Sequence, residues 1–150
     1  MATVLISGGT VVSAVGRRGA DVLVDGEKVV AILAPGQATA MGVVADRTID
    51  ATGKYVVPGG VDVHTHMELP FGGTEASDTF ETGTTAAAWG GVTTIVDFAV
   101  QNTGFSVHDQ LAVWHEKAAG NCAIDYGFHQ IIRGVDDEFV NAMTYLVNNE

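Results

Sequence analysis

The chain has 150 residues, of which 47% are hydrophobic and 17% are charged, and its formal net charge is −11 at pH 7. Such a chain is expected to fold rather than stay disordered, and its negative surface repels phosphate backbones, which excludes nucleic acid as a partner. The single cysteine, Cys122, rules out an internal disulfide and favours the cytoplasm, and the lack of a secretory signal or an apolar run of ~18 residues predicts no membrane partner.

Residues 1–57 are predicted to form a β-rich N-terminal domain. TVLISGGTVV is rich in Val, Ile and Thr and is broken at Gly8-Gly9. DVLVDGEKVVAIL predicts a hairpin around Asp25-Gly26, a pair favoured in type I′ turns because both central positions need positive φ. One or two further short strands are predicted around residues 52–53.

Residues 58–150 change to an alternation of strands and helices. VDVHTH, VTTIVDFAV and CAIDYGFHQII are predicted strands, and a helical segment follows each of them. The first helix is expected to start at Asp78, with Glu81 three residues later, and to stop at Gly90-Gly91. The order β-α-β-α-β-α is typical of a parallel sheet with helical crossovers.

The second and third helices are predicted to be amphipathic. The inward residues of the second are expected to be Val107, Leu111, Trp114 and Ala118. In the third they are expected to be Phe139, Val140, Met143, Leu146 and Val147. His108 and His115 are interpreted as solvated histidines on the second helix.

Three βα units cannot close a barrel, which takes about 250 residues. The chain is therefore expected to be the front part of a larger protein. The alternative is a free-standing, open α/β sheet that acts as a binding module.

Two histidines one residue apart, His64 and His66, end the strand VDVHTH. Residues i and i+2 of a strand point to one side, so both imidazoles, with Asp62 one step deeper, are expected on one face. Two imidazoles there can converge on a metal ion, and strand ends of this kind carry the active sites of α/β barrels. The alternative is that the pair is accidental.

Three other polar residues are candidates for supporting this site. Asp62 is predicted to lie behind the metal ligands or to line the barrel, and Asp97 either supports the site or caps the following loop. His129, on the third strand, either supports the site or is a hydrogen-bonded core histidine.

The stretch VVPGGVDVHTHMELPFGGTEASDTFETGTTAAAWGGVTTIVDF resembles the first metal-binding region of the cyclic amidohydrolases, most closely the dihydropyrimidinase/hydantoinase branch. The resemblance covers essentially the whole chain. It implies an α/β fold: the first three βα units of a (β/α)8 TIM-like barrel, residues 58–150, preceded by a small β domain. In the family, C-terminal residues complete that domain as a β-sandwich.

The resemblance also implies the chemistry. Two divalent metal ions, expected to be zinc, would sit at the barrel mouth, with His64 and His66 binding one of them. A hydroxide that bridges the metals would open 5,6-dihydropyrimidines or 5-substituted hydantoins to N-carbamoyl amino acids. The bridging carbamylated lysine and the general-base aspartate are expected after residue 150, so residues 1–150 alone are predicted to be inactive. The full-length form is expected to be a homotetramer.

The loop after the histidines, MELPFGG, bears on the substrate. No arginine follows before Arg133, so an anionic substrate would lack a bidentate partner here, and a small neutral cyclic ureide is favoured. By resemblance, Leu69 and Phe71 contact the ring substituent, or else they only pack the loop onto the barrel. The alternatives are another cyclic amidohydrolase such as allantoinase, and a non-catalytic dihydropyrimidinase-like adaptor of the collapsin response mediator type, which lacks the His-x-His pair.

Overall fold

The structure is a computed structural model that describes residues 2–149. It divides into two compact units, Met1–Pro58 and Gly59–Glu150. The first is built mainly of strands and the second alternates strands and helices, so the predicted α/β class is confirmed. No helix among the described residues is long and apolar enough to span a membrane.

The first unit is a five-stranded sheet with one short helix. Its elements are β1 (Thr3–Ser13), β2 (Gly16–Asp25), β3 (Lys28–Leu33), α1 (Gln37–Ala40), β4 (Arg47–Asp50) and β5 (Tyr55–Val56). The sheet order is β3-β2-β1-β4, and β5 also pairs with β1. The β1–β2 and β2–β3 pairs are antiparallel, whereas β4 and β5 run parallel to β1.

Two turn predictions in this unit are corrected. The Gly8-Gly9 pair does not break β1, because the strand continues through a register shift between Ile6 and Gly9, with Gly8 at φ 76°. Asp25 pairs with Lys28, so the hairpin loop is Gly26-Glu27 rather than Asp25-Gly26. Only Gly26 of these two residues has a positive φ, which is not the type I′ pattern.

A buried carboxylate holds the first unit together. Asp21 is 1% exposed and accepts hydrogen bonds from Ser7 Oγ (3.0 Å) and from the backbone N–H groups of Gly8 (2.9 Å) and Gly36 (2.9 Å). The Gly8 hydrogen bond is the largest of the causes that lower the pKa of Asp21; burial opposes it. The ionised side chain thus links β1, β2 and the turn before α1.

The second unit contains three consecutive βα units. Its elements are β6 (Gly60–Thr65), β7 (Pro70–Phe71), β8 (Thr74–Glu75), α2 (Phe80–Trp89), β9 (Val92–Val100), α3 (Val107–Ala118), β10 (Asp125–Ile131) and α4 (Asp137–Asn149). The main sheet has the order β10-β9-β6 and is parallel throughout. Each new strand adds to the same edge of the sheet, as in the first part of a (β/α) barrel.

The first helix of this unit begins one residue later than predicted. Thr79 rather than Asp78 is the N-cap, and the Thr79 and Thr82 side chains form a reciprocal capping box. The Thr82 hydroxyl also donates to Asp78 Oδ1 (3.1 Å). Asp78 therefore supports the cap, and Glu81 takes no part in the capping box.

The apolar core lies between the helices and the helix-covered face of β9. Its buried residues are Phe80, Ile95, Ala99, Val100, Leu111, Trp114 and Ala118. All four predicted inward residues of α3 are buried, which confirms that prediction. His108 and His115 are half-buried rather than solvated, since their rings contact Tyr145 and Phe128 at 4.7 and 5.0 Å.

The inward face predicted for α4 is only partly right. Phe139 and Leu146 are half-buried. Val140, Met143 and Val147 are 56%, 48% and 82% exposed. The buried residue of the helix is Ala142, at 5%. The apolar pattern of α4 is therefore broader than the face that the described residues cover.

Candidate metal-binding site

The predicted metal ligands lie where β6 ends and where its pairing is irregular. β6 ends at Thr65, so His66 is the first residue after the strand. Asp62 pairs with Ile95 and Thr65 pairs with Asp97, so three steps along β6 match two steps along β9. This is the count of a β-bulge, and bulges often re-aim side chains beside active sites. The strict i, i+2 pattern expected from Asp62 onward is therefore interrupted between Asp62 and Thr65.

Both imidazoles nevertheless lie on one side of the sheet. The ring centres of His64 and His66 are 5.1 Å apart, with their planes at 88°. Both rings contact the Phe98 ring, at 4.6 and 5.1 Å, and both side chains are exposed. A tetrahedral ion ~2.0–2.1 Å from one nitrogen of each ring would separate the ring centres by about 5 Å, so the pair fits a common ion.

The described residues supply only part of a metal-binding set. No group of three or more His, Cys, Asp or Glu side chains within residues 2–149 is arranged to hold a metal ion. Two neutral imidazoles provide half of a tetrahedral shell and no negative charge to offset a divalent ion. Further ligands are needed to complete the site.

Asp97 is a buried carboxylate beside the candidate metal ligands. It is 0% exposed and lies on β9 directly before Phe98. Its Oδ2 accepts hydrogen bonds from Thr65 Oγ1 (2.9 Å) and from the backbone N–H of Met67 (2.8 Å). Thr65 and Met67 flank His66, so one carboxylate oxygen fixes the chain on both sides of a candidate ligand. Its Oδ1 accepts from the N–H of Phe98 (2.7 Å).

The charge of Asp97 has a further effect on its surroundings. The pKa of the half-buried Cys122 thiol is raised, first by burial and then by the negative charge of Asp97. A cysteine in this environment is a poor thiolate nucleophile.

Two side chains bind the backbone groups of the bulge. The N–H of His64 donates to Asp62 Oδ1 (3.1 Å), so the Asp62 side chain binds the backbone of a candidate metal ligand. The carbonyl oxygen of Val63 is 3.0 Å from His129 Nε2. The His129 ring also contacts Phe98, at 5.0 Å, which places it on the same side of the sheet as His64 and His66.

The loop after His66 is a small hairpin with a fixed base. Glu68 N–H donates to the Asp78 carbonyl (2.9 Å), and the Leu69 carbonyl accepts from Ala76 N–H (2.9 Å). Beyond them β7 and β8 pair across Gly72-Gly73, both at positive φ. Leu69 packs against the apolar core of the unit, whereas Phe71 is 79% exposed.

Glu68 anchors this hairpin through its side chain. It is the only non-glycine residue with positive φ (52°) among residues 2–149. Its carboxylate lies 3.4 Å from Lys117 Nζ on α3 and 3.4 Å from the N–H of Phe80 at the start of α2. The carboxylate is turned toward the helices α2 and α3.

Sequence reasoning missed Phe98, which is the ring that His64, His66 and His129 all contact. The alternation of side chains along VTTIVDFAV puts Phe98 opposite to the buried Asp97 and could have indicated it. The pairing of Phe98 with His129 follows from the β9–β10 register, which the sequence does not contain.

Comparisons with known proteins show what the whole chain is similar to. The sequence profile described as the amidohydrolase family matches residues 47–123, just over half of the chain. The D-hydantoinase of Streptomyces coelicolor is 57% identical over 143 residues, which are 95% of this chain and 31% of that protein. The dihydropyrimidinase of Rattus norvegicus is 39% identical over 150 residues, 97% of this chain and 28% of that protein.

A solved structure is similar over almost the whole chain. The crystal structure of dihydropyrimidinase from Brevibacillus agri superposes with a TM-score of 0.91 at 51% identity, covering 98% of this chain and 31% of that one. The chain thus spans about three tenths of the length of the relatives it matches. On these grounds the chain belongs to the amidohydrolase family. Within it, the resemblance to the hydantoinase and dihydropyrimidinase branch is confirmed.

Proposed function

We propose that this chain supplies the first metal ligands and the substrate-facing hairpin of an enzyme that hydrolyses a C–N bond of cyclic amides. The carrying observation is the pair His64 and His66, whose ring centres lie 5.1 Å apart on one side of a strand end, beside the buried carboxylate of Asp97. The names of the similar proteins, D-hydantoinase and dihydropyrimidinase, support 5-substituted hydantoins and 5,6-dihydropyrimidines as substrates. The products would be N-carbamoyl amino acids.

The metal centre would take one imidazole nitrogen from each of His64 and His66. When bound, divalent metal ions lower the pKa of the attacking water and polarise the ring carbonyl. Zinc is the proposed ion, and a carbamylated lysine and a general-base aspartate outside these 150 residues would complete the site. The two described imidazoles do not complete the coordination shell of a metal ion and carry no negative charge to offset it. Residues 1–150 alone are therefore expected to be inactive.

The two aspartates, of which Asp97 is buried and Asp62 is exposed, would act on the ligands through the backbone. Asp97 holds the peptide groups on either side of His66, and Asp62 holds the N–H of His64. Such supporting contacts orient metal ligands, and their loss typically lowers metal affinity. We assign both aspartates this supporting role.

The hairpin after His66 would contact the substrate. Phe71 is exposed on the hairpin that follows His66, and its ring is suited to an apolar ring substituent. Leu69 packs on the core, so it would affect substrate binding indirectly, by fixing the base of the hairpin. No arginine lies between His66 and Arg133, which favours a neutral cyclic ureide over an anionic ring.

The remaining assignments extend beyond this chain. We propose that residues 1–57 are part of a β-sandwich completed by later residues, and that residues 58–150 open the hydrolase barrel. A homotetramer and a cytoplasmic location complete the proposal, the latter supported by the single cysteine.

The test uses the full-length protein that contains this chain. Ring opening of dihydrouracil, a 5-substituted hydantoin and allantoin would be measured for wild type, His64→Asn and His66→Asn, with His108→Asn as the control. We expect activity on the first two rings and a loss in kcat/KM on the order of 1,000-fold in each ligand variant. A His64→Asn enzyme that hydrolyses these rings at the wild-type rate would contradict the proposal.

The second candidate is a non-catalytic adaptor of the same fold. His64 and His66 favour the enzyme, because an adaptor has no use for two exposed imidazoles on one ion-sized site. A full-length protein that binds no divalent metal and opens none of the three rings would favour the adaptor.

A further inference from the structure

The bulge in β6 leaves two residues without a partner in the register with β9. Between the pairs Asp62–Ile95 and Thr65–Asp97, Val63 and His64 have no partner on β9. The N–H of His64 is bound locally by Asp62. Val63, the residue directly before a candidate metal ligand, is 57% exposed, so a donor on a neighbouring element can reach its carbonyl.

That donor comes from the third strand. His129 is on β10, which is separated from β6 by β9. Neighbouring strands are about 4.8 Å apart, so the side chain of His129 has to reach over the intervening strand toward β6. Its Nε2 ends 3.0 Å from the Val63 oxygen. A carbonyl oxygen can only accept, so a hydrogen bond here requires the proton on Nε2.

We propose that His129 is a positioning residue for the metal ligand His64, acting through the Val63 carbonyl. By fixing the last peptide group before His64, it sets the bulge and hence the direction of the imidazole. Asp97 holds the other end of the motif at His66, so the two ligands are aligned from opposite sides. The inference rests on the proposed function in that it takes His64 as a metal ligand.

Two contacts of His129 have to be separated, the hydrogen bond to Val63 and the ring contact with Phe98. His129→Phe keeps an aromatic ring and removes the donor. His129→Gln keeps an N–H donor at a similar distance from the backbone and removes the ring. The pair therefore distinguishes positioning from packing.

The experiment measures zinc affinity of the full-length protein by competition with a chelator, and kcat and KM for ring opening beside it. His129→Phe is expected to lower zinc affinity by about 10–100-fold, and His129→Gln to restore it to within about threefold of wild type. Wild-type affinity in His129→Phe, or equal losses in both variants, would overturn the proposal.

A measurement on the wild-type protein covers the case in which His129→Phe does not fold. Nitrogen-15 NMR of labelled histidine reports which ring nitrogen carries the proton. The proton of His129 is expected on Nε2, and a neutral ring protonated on Nδ1 alone would overturn the inference. His64→Asn separates the two proposals: if it abolishes zinc binding while His129→Phe leaves it intact, only the positioning role fails. If wild type binds no zinc, both fail.

Discussion

Two buried aspartates in this chain have nearly the same surroundings and different positions. Asp21 in the first unit and Asp97 in the second are 1% and 0% exposed. Each accepts three hydrogen bonds, one from a hydroxyl group and two from backbone N–H groups. Asp21 ties strands and a turn of a β-rich unit, whereas Asp97 ties the residues around His66.

Burial and hydrogen bonding alone therefore do not identify a functional carboxylate. Both side chains bind neighbouring segments of the chain through the same number and kind of hydrogen bonds. What differs is the segment that each one holds. Only for Asp97 does that segment carry a candidate metal ligand, so only Asp97 is expected to connect stability to metal binding.

The largest difference is expected between Asp97→Asn and Asp21→Asn. In either variant an amide NH₂ replaces one acceptor oxygen and meets an N–H donor, so unfolding free energy should fall by about 1.5–3 kcal/mol. Asp97→Asn should in addition lower zinc affinity of the full-length protein by about 10–100-fold. Denaturant unfolding and chelator competition on both variants check this. Equal zinc affinity in the two would remove the distinction.

The pH dependence of the unfolding free energy tests whether Asp21 stabilises the first unit through its charge. Its pKa is lowered in the folded protein, so its contribution is fully present above the ordinary carboxyl pKa of ~4 and is lost as the pH falls through the lower folded value. The stability gap between wild type and Asp21→Asn should therefore be largest near pH 7 and shrink in acid below about pH 4. Urea unfolding across this range measures the gap, and a gap independent of pH would show that the carboxylate charge is irrelevant.

Gly83 lies against Met67, whose backbone Asp97 binds, so a substitution at Gly83 tests the same segment. A Cβ at this buried glycine of α2 would overlap the sulfur of Met67, whose N–H donates to Asp97. Gly83→Ala should cost less than about 1 kcal/mol, because the overlapped atoms are the movable end of the Met67 side chain and alanine is favoured over glycine in a helix. Adding Met67→Ala should relieve the overlap, so the double variant would be more stable than the sum of the single changes predicts. Strict additivity of the unfolding free energies would place the strain elsewhere.

The smallest effect is expected at the partly exposed carboxylate of Glu68. Its ion pair with Lys117 has side chains that are 26% and 29% exposed, so Lys117→Met should cost no more than about 1 kcal/mol, less at high salt. Thermal unfolding at low and high salt measures this. A loss as large as that of Asp97→Asn would mean that partly exposed and buried carboxylates here are equivalent, which would break the comparison.

Sequence reasoning found the pair of histidines because side-chain alternation in a strand is a local rule. It also found the α3 face of Val107 to Ala118, since a helical stripe needs no knowledge of its neighbours. The bulge at Val63 and His64 was missed because it depends on register with β9, some thirty residues away. The contact of His129 with Val63 is longer in range still, at 66 residues.

The smaller errors have local physical causes. Asp78 and Thr79 are both good N-caps, and the sequence does not decide between neighbours when each has a hydrogen-bonding side chain. In α4, Val140, Met143 and Val147 follow the apolar spacing yet are exposed, because apolar periodicity reports a preference for burial and not which surface covers it. The site roles stay predictions for His64, His66, Asp62, Asp97, Leu69 and Phe71.

The measurement that bears most directly on metal binding is the zinc content of the purified full-length protein. It would be compared between wild type, a His64→Asn, His66→Asn double variant and a His108→Asn, His115→Asn control. Bound metal is expected in wild type and in the control, and its loss is expected in the double variant at unchanged secondary structure. Equal metal in all three proteins would contradict this expectation.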